Sequence, residues 1–459
     1  MGTSQRRSEA RERLVRGAGR GRGRRVLVRL ATVTVVSLAA YQVAGFLTLE
    51  LRVRSTTPGA EVATPFPDAS DEVVTGVFSV HSGRSHDAFG SFEQVAVAAS
   101  SAGLDFVYLG DHPPDDRRPN LSPVSTDFLD GVLIVPGQEL VANDVGRVLA
   151  MGLDTTFRGW TGGEASFAGL IQDRDAVAFV VHGRSPRDGE RWKPGSISGI
   201  AGWEVVDMSE TAKRRLNEPW ALYHLGTLVT GLTLGFGDRG LLHLTRDGFD
   251  IPSVAAFDSL RMQGPLTATA GLNHHPKMLL RGRPFPPYEP FFRTFLNHLL
   301  LNGPLPEEPE LAEAAVTDAV RSGRVLISFG GGADARRFRF EALRDGQRMA
   351  EMGQRVQFQA GVVLRAGWGG PAGGRVVYRI LRDGRDVAFV RGRELEWAVR
   401  GPGIYRVEVY RYAARAGSLF AGLRPWLFTN PIELAGPSRP MEAIAKRSTA
   451  GFPAQRPGG

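Results

Sequence analysis

Between Val73 and Leu301 the chain alternates short apolar runs with longer amphipathic or polar stretches. Val77 and Val80, and then Phe106 to Leu109, sit in runs rich in β-branched and aromatic residues bounded by turn residues. This pattern predicts strands buried on both faces, as in a parallel sheet. Between them, FEQVAVAASSAG predicts a helix, with Ser91 as its N-cap and Gly103 as its stop. A unit of strand, loop, helix and strand, with polar residues at the strand ends, suits an α/β fold with its chemistry on one rim. From 324 to 435 the pattern changes to period-two alternation with Gly and Asp-Gly turns, in RVLISFGG, RFRFEAL, RVVYRILRDG and YRVEVYRYAA. That predicts an antiparallel β-sandwich, reached through a Pro-marked connector and short helix over 302–323.

The N-terminal region follows a different rule. Residues 1–29 form a basic tail with ten arginines, and 30–49, LATVTVVSLAAYQVAGFLTL, carry no charge. Twenty residues at about 1.5 Å each match a hydrocarbon core of roughly 30 Å, so the stretch predicts a transmembrane signal-anchor helix with the N-terminus inside. A cleaved signal peptide is the alternative. The net charge of +8 is then largely a topology signal rather than a nucleic-acid footprint. The expected location is a bacterial-type inner membrane, single-pass, with a cytoplasmic N-terminus and the main domains extracytoplasmic. Residues 50–72 read as a linker and 436–459 as a disordered tail. With no cysteine in the chain, disulfides and thiolate ligands are excluded.

Candidate chemistry gathers at the predicted strand ends. His81, His86, Asp87, Asp111 and His112 follow the first two strands, and later apolar runs lead to Glu139, His182, Glu204 and the trio Asn273, His274 and His275. A lone histidine near a strand end is usually a packing residue. Here six of the nine histidines fall in these segments, which argues against chance. Neutral imidazole and carboxylate together suit zinc, manganese or iron and can close a site that activates water. No serine-hydrolase elbow is present, and FGGGAD lacks the helix and spacing of a phosphate loop.

In order, the segments VHS, SHD, GDH, GQE, GRV, VVHG and NHH resemble the ligand motifs of the PHP (polymerase and histidinol phosphatase) metal-dependent phosphoesterases, most closely the branch of carbaryl-hydrolase-like metallohydrolases. The resemblance covers roughly Val73 to Pro276, and the run PWLFTNPIEL is similar to one in that branch's C-terminal β-domain. It implies a distorted (β/α)7 TIM-like barrel over 73–301. It also implies metal ligands at His81, His86 or Asp87, Asp111, His112, Glu139, His182, Asn273 and His275. Three positions depart from the family pattern: Ser79, Arg147 and Asn273 stand where the family carries His, His and Asp. A full set survives only at His86 or Asp87 with His112 and His275, so one divalent metal per chain is expected rather than three.

Glu139, His182 and Arg147 are the candidate catalytic residues. Glu139 and His182 would orient water or shuttle protons, and Arg147 would steady developing negative charge. Arg84, Arg184, Arg187, Lys193 and Lys277 line the same segments and favour an anionic ligand. The resulting expectation is a membrane-anchored metal-dependent hydrolase of a small anionic or ester substrate, with no nucleic acid as partner. The alternative is a catalytically silent domain that binds an anionic ligand or a protein partner.

Overall fold

A computed structural model describes residues 27–34, 36–37, 72–113, 125–142, 145–152, 176–193, 199–219, 221–233, 241–242, 244, 251–330, 333–368, 376–413 and 422–436. By internal contacts the chain divides into two units, 1–56 with 411–424 and 57–410 with 425–459. In the first unit the expectation of an inner-membrane anchor is corrected. Among the described residues no helix is long and apolar enough to cross a membrane. The described helical turns cover 27–34 and 36–37 and include Arg29. At about 1.5 Å per residue they reach only about half of a hydrocarbon core of roughly 30 Å. The rest of the 30–49 run, the tail before residue 27, the linker over 50–71 and the tail beyond 436 lie outside the described residues.

The second unit is mixed α/β with one large sheet. Its elements run β1 (Val73–Val80), α1 (Phe92–Ala102), β2 (Phe106–Leu109), β3 (Asp127–Leu129), β4 (Val132–Val135), β5 (Gln138–Ala142), β6 (Gly146–Met151), β7 (Val177–Val181), β8 (Gly202–Asp207), α2 (Met208–Leu216), α3 (Ala221–Thr233), α4 (Pro252–Arg261) and β9 (Thr267–His274). α1 begins and ends as the sequence predicts. Ser91 and Gln94 form a reciprocal capping box, and Gly103, at φ 73°, closes the helix in the left-handed conformation.

β1 pairs in parallel with both β2 and β9. β2 pairs in parallel with β4, and a bridge from Asp111 to Gln138 continues that contact into β5. β5–β6 and β6–β7 are antiparallel, whereas β7–β8 and β8–β9 are parallel, so the pairings lead back to β1. β1, β4, β7, β8 and β9 are buried along almost their whole length, which is why they read as apolar runs rather than alternating ones. Phe78, Phe106, Tyr108, Val135 and Phe179 pack with other strand residues into one core.

Beyond β9 come a hairpin of β10 (Met278–Leu280) and β11 (Arg283–Phe285), α5 (Tyr288–Phe292), β12 (Phe295–Leu300), α6 (Pro309–Arg321) and β13 (Val325–Phe329). A strand-rich region follows: β14 (Arg339–Arg344), β15 (Gln347–Glu351), β16 (Arg355–Gln357), β17 (Val363–Gly367), β18 (Val376–Arg382), β19 (Arg385–Gly392), β20 (Leu395–Ala398), β21 (Gly403–Ala413), β22 (Gly422–Thr429) and β23 (Ile432–Ala435). β15, β14, β17 and β20 form a separate antiparallel sheet. Phe340 and Leu364 from that sheet share a second core with Tyr378, Val407 and Trp426 from the large one. Trp426 is a packing residue, its ring stacked on Trp368 at 4.8 Å.

Polar contacts, among them those of Arg406 and Asn430, join the strand-rich region to the part that carries the histidines. Arg406, buried on β21, forms a fork to both oxygens of Asp258 on α4, each at 2.7 Å, and reaches Glu408 at 2.6 Å. Asn430, in the turn between β22 and β23, donates to the carbonyls of Ala268 and Val325, both at 2.8 Å, and accepts from the N–H of Ala268 at 2.7 Å. One buried amide thus satisfies three backbone groups on two strands. Asn430→Ala would leave the two Ala268 groups without this amide and Val325 with only the longer 3.4 Å contact from the backbone N–H of residue 430, and should cost about 2–4 kcal/mol. Guanidinium denaturation checks this, and a lowered midpoint at unchanged slope is the expected result.

Candidate metal centre

The ends of β1, β2, β7 and β9 carry the predicted side chains, and backbone conformation decides where they point. Ser79, His182 and Asn273 all adopt positive φ, at 59°, 54° and 46°. Non-glycine residues rarely do so, and such outliers mark sites the surroundings enforce. Ser79 and Asn273 lie where the pairing of β1 with β9 slips, between Phe78↔Gly271 and Val80↔His274. Irregularities of this kind re-aim side chains at the end of a ladder.

One group consists of His81, Asp87, His112 and His275, each offering a donor atom within 4.8 Å of the others. Asp87 lies 3.8 Å from His112 Nε2 and 3.5 Å from His275 Nε2 through its two oxygens, and its Oδ2 also meets Lys277 at 3.3 Å. The ring of His81 stacks on His275 with centroids 3.7 Å apart. Ring orientation is set from behind. His275 Nδ1 meets the carbonyl of Asn273 at 2.8 Å, and His81 Nδ1 meets Ser85 Oγ at 3.0 Å. Both rings are thereby left with Nε2 toward the group, as histidines that ligate metals are held. Ser85 Oγ also accepts the backbone N–H of His112 at 2.9 Å.

The donor chemistry fits a divalent cation. His81 Nε2 and Asp87 Oδ1 are buried without a hydrogen-bond partner among the described residues. Burial also lowers the pKa of His112 and holds His275 well below the usual range. Both imidazoles are therefore neutral at pH 7, the form that ligates.

Glu139 sits at the centre of a second layer. Its carboxylate is buried, 3.3 Å from His81 Nε2, 2.5 Å from Arg147 Nη1 and 4.0 Å from His182 Nε2. Burial pushes its pKa up, but the close approach of His81 and the neighbouring histidines outweigh this and hold it well below the carboxylate range. Arg147 remains partly open, with 24% of its side chain exposed, so the guanidinium faces both Glu139 and solvent.

A third cluster joins Ser79 and Asn273 to buried carboxylates. Ser79 Oγ donates to Glu204, and Asn273 Nδ2 donates to Glu204 Oε2 at 3.1 Å and to Asp207 Oδ2 at 2.7 Å. His182 Nδ1 lies 2.8 Å from the same Asp207 oxygen. Glu204 fits only because residue 271 is glycine, since a Cβ there would come within 2.0 Å of Glu204 Oε1. Burial and the Asp207 charge raise Glu204 well above the usual range and Glu210 to about 8. Burial lowers His182, yet the Asp207 charge and contact prevail and raise it to about 9.

Of the sequence-predicted residues, His81, Asp87, His112 and His275 come together, and Glu139, Arg147 and His182 adjoin them. Between the two open candidates, it is Asp87 that joins the donor group, while the His86 ring stacks on His112 with centroids 5.0 Å apart. Asp111 lies apart, its oxygens accepting from Ser82 N and Ser82 Oγ at 2.7 Å each. Asn273 acts as a hydrogen-bond donor to carboxylates. His274 packs against Phe291 with centroids 3.8 Å apart. Arg187 pairs with Glu190, and Lys193 with Asp188. Sequence reasoning missed Asp207 and Glu210. Asp207 ends an apolar strand and caps α2 by accepting from Glu210 N at 2.9 Å, and a capping role is all that position advertises.

No family model and no curated protein matches the chain. Solved structures that do match include a two-domain protein from Bacteroides vulgatus ATCC 8482 containing a predicted PHP-like metal-dependent phosphoesterase. It shows 15% identity and a TM-score of 0.36, over 82% of this chain and 99% of that one. PsfC from Pseudomonas syringae PB-5123 matches at 12% identity and TM-score 0.33, over 58% and 94%. Endonuclease Q, complexed with a 27-mer duplex carrying an abasic lesion at its active site, matches at 14% identity and TM-score 0.29, over 54% and 57%. With a nucleic-acid enzyme among the neighbours, the expectation that nucleic acid is no partner is withdrawn.

The raised groups fix a pH window. In metal-free protein His182 and Glu210 hold protons to about pH 9 and 8, against ordinary values near 6.5 and 4.5. The folded state therefore binds more protons than the unfolded chain above about pH 6.5, and stability falls as pH rises through this range. Denaturation of metal-free protein at pH 6.5 and at pH 9 should show a loss on the order of 2–3 kcal/mol at the higher pH. Equal stability at the two values would show that the His182–Asp207 contact is not held.

Proposed function

We propose that this chain is a metal-dependent hydrolase of a phosphoester or related ester, with one divalent ion, zinc, manganese or iron, held by Asp87, His112, His275 and His81. The observation that carries this reading is the four-donor group, in which two buried donor atoms make no hydrogen bond among the described residues. The ordered PHP-like motifs support it, and so does the return of the strand pairings to β1, which fits the seven-stranded barrel over 73–301 with the strand-rich region following it.

When bound, such an ion supplies Lewis-acid polarisation of an ester oxygen and acidifies water. The chain's own groups do the remainder. Glu139, kept ionised by its neighbours, accepts a hydrogen bond from a water on the His81 side and orients it. His182 presents Nε2 to the other side of Glu139 and serves as a donor or proton shuttle. Arg147 binds an anionic substrate oxygen with the guanidinium edge not committed to Glu139 and counters the charge that develops on it.

His112→Ala tests the reading. Inductively coupled plasma mass spectrometry of the fragment from Pro58 onward should show loss of the ion held by the wild type. Turnover of phosphomonoesters, phosphodiesters (single- and double-stranded DNA among them) and carboxylic esters should fall at least 10³-fold, as expected when a catalytic metal is lost. A folded wild type that takes up no metal and turns over none of these substrates would replace the hydrolase with the silent, anion-binding alternative.

A further inference from the structure

Asp207 and Glu210 lie outside the positions that the PHP resemblance assigns, and the hydrolase reading makes no use of either carboxylate. Together with His182 they form a compact donor set, with one ligand-type atom from each within 4.8 Å of the others. The set lies on the far side of Glu139 from the first group, because His182 directs Nε2 to Glu139 at 4.0 Å and Nδ1 to Asp207 at 2.8 Å.

Carboxylates grouped around a histidine are not in themselves a site, but two further observations point to a ligand here. His182 Nδ1, on a side chain only 4% exposed, faces Asp207 Oδ2 without the alignment of a hydrogen bond. In the metal-free protein this is the spacing of an imidazolium–carboxylate pair, and it is also the spacing of neighbouring ligands of one cation, since donors at bond lengths of about 2.0–2.2 Å lie about 3 Å apart. Asn273 Oδ1 is likewise buried and without a partner among the described residues, although its amide nitrogen already serves Glu204 and Asp207. Glu210 keeps one oxygen for a ligand, its Oε1 accepting the N–H of Arg184 at 3.1 Å.

We propose that His182, Asp207 and Glu210 hold a second divalent cation, separate from the ion at Asp87, His112, His275 and His81. The imidazole and two carboxylates suit zinc or manganese. His182 ligates through Nδ1 and keeps Nε2–H toward Glu139, so in the hydrolase site it acts as a hydrogen-bond donor and not as a proton shuttle. Residues the family does not use thereby take over from the ligands lost at Ser79 and Asn273.

Zn²⁺ stoichiometry on the full chain, after dialysis against Zn²⁺ and removal of excess, tests the proposal without recourse to activity. The wild type should hold two equivalents, Glu210→Gln one and His112→Ala one. Glutamine keeps the volume of the side chain and removes its charge, and a far-UV melt verifies that the variant is folded. One equivalent in the wild type that Glu210→Gln leaves in place overturns the second site; if His112→Ala then removes that equivalent, the first centre stands. Loss of an equivalent in Glu210→Gln with none in His112→Ala supports this site and removes the first. Should Glu210→Gln not fold, His112→Ala decides alone: one remaining equivalent supports the proposal and none overturns it.

Discussion

An ionised carboxylate in a protein interior is tolerated only when its charge is answered on several sides, and Glu139 is such a carboxylate. His81, Arg147 and His182 approach it from different strands of the large sheet, at 3.3, 2.5 and 4.0 Å. Through it the ends of β1, β6 and β7 are tied to one buried charge. Were Glu139 neutral, Arg147 would be a cation without its closest partner and His81 would lose the contact that directs Nε2 inward. The four-donor group on one side and the His182–Asp207 contact on the other both hang from this residue.

Cationic and neutral donors are divided around it. Arg147 is a permanent cation and supplies charge to Glu139 without supplying a coordination site. Ser79 and Asn273 are neutral donors, and both serve Glu204. Glu204 can stand there only because Gly271 leaves room for it. One side of the site is thus built from hydrogen bonds to buried carboxylates, while the donors His81, Asp87, His112 and His275 gather on the other.

Much of this was legible in the sequence because it depends on local patterns. Apolar runs ending in His81, His112 and His275 marked strand ends, and Ser91 and Gly103 marked a helix. Other features were hidden for physical reasons. Whether His86 or Asp87 enters the donor group depends on the course of the loop after β1, which pattern does not encode. Asp207 and Glu210 were concealed by the capping of α2. The convergence itself rests on left-handed backbone at Ser79, His182 and Asn273, a conformation that residue type does not announce outside glycine. Gly271 was the available signal, since an isolated glycine inside a strand marks a close approach, and here that approach is made by Glu204. The apolar run over 30–49 misled in the opposite direction, because low charge over twenty residues is necessary for a spanning helix but does not establish one.

The most direct test of the claim that these buried donors form a metal centre is anomalous diffraction at the zinc edge from crystals of the protein grown with Zn²⁺. The account predicts an anomalous peak between Asp87, His112 and His275 with His81 Nε2 turned toward it, and Glu139 still paired with Arg147. Zinc-loaded crystals with no peak among those side chains, and with Asp87 paired only with Lys277, would contradict it.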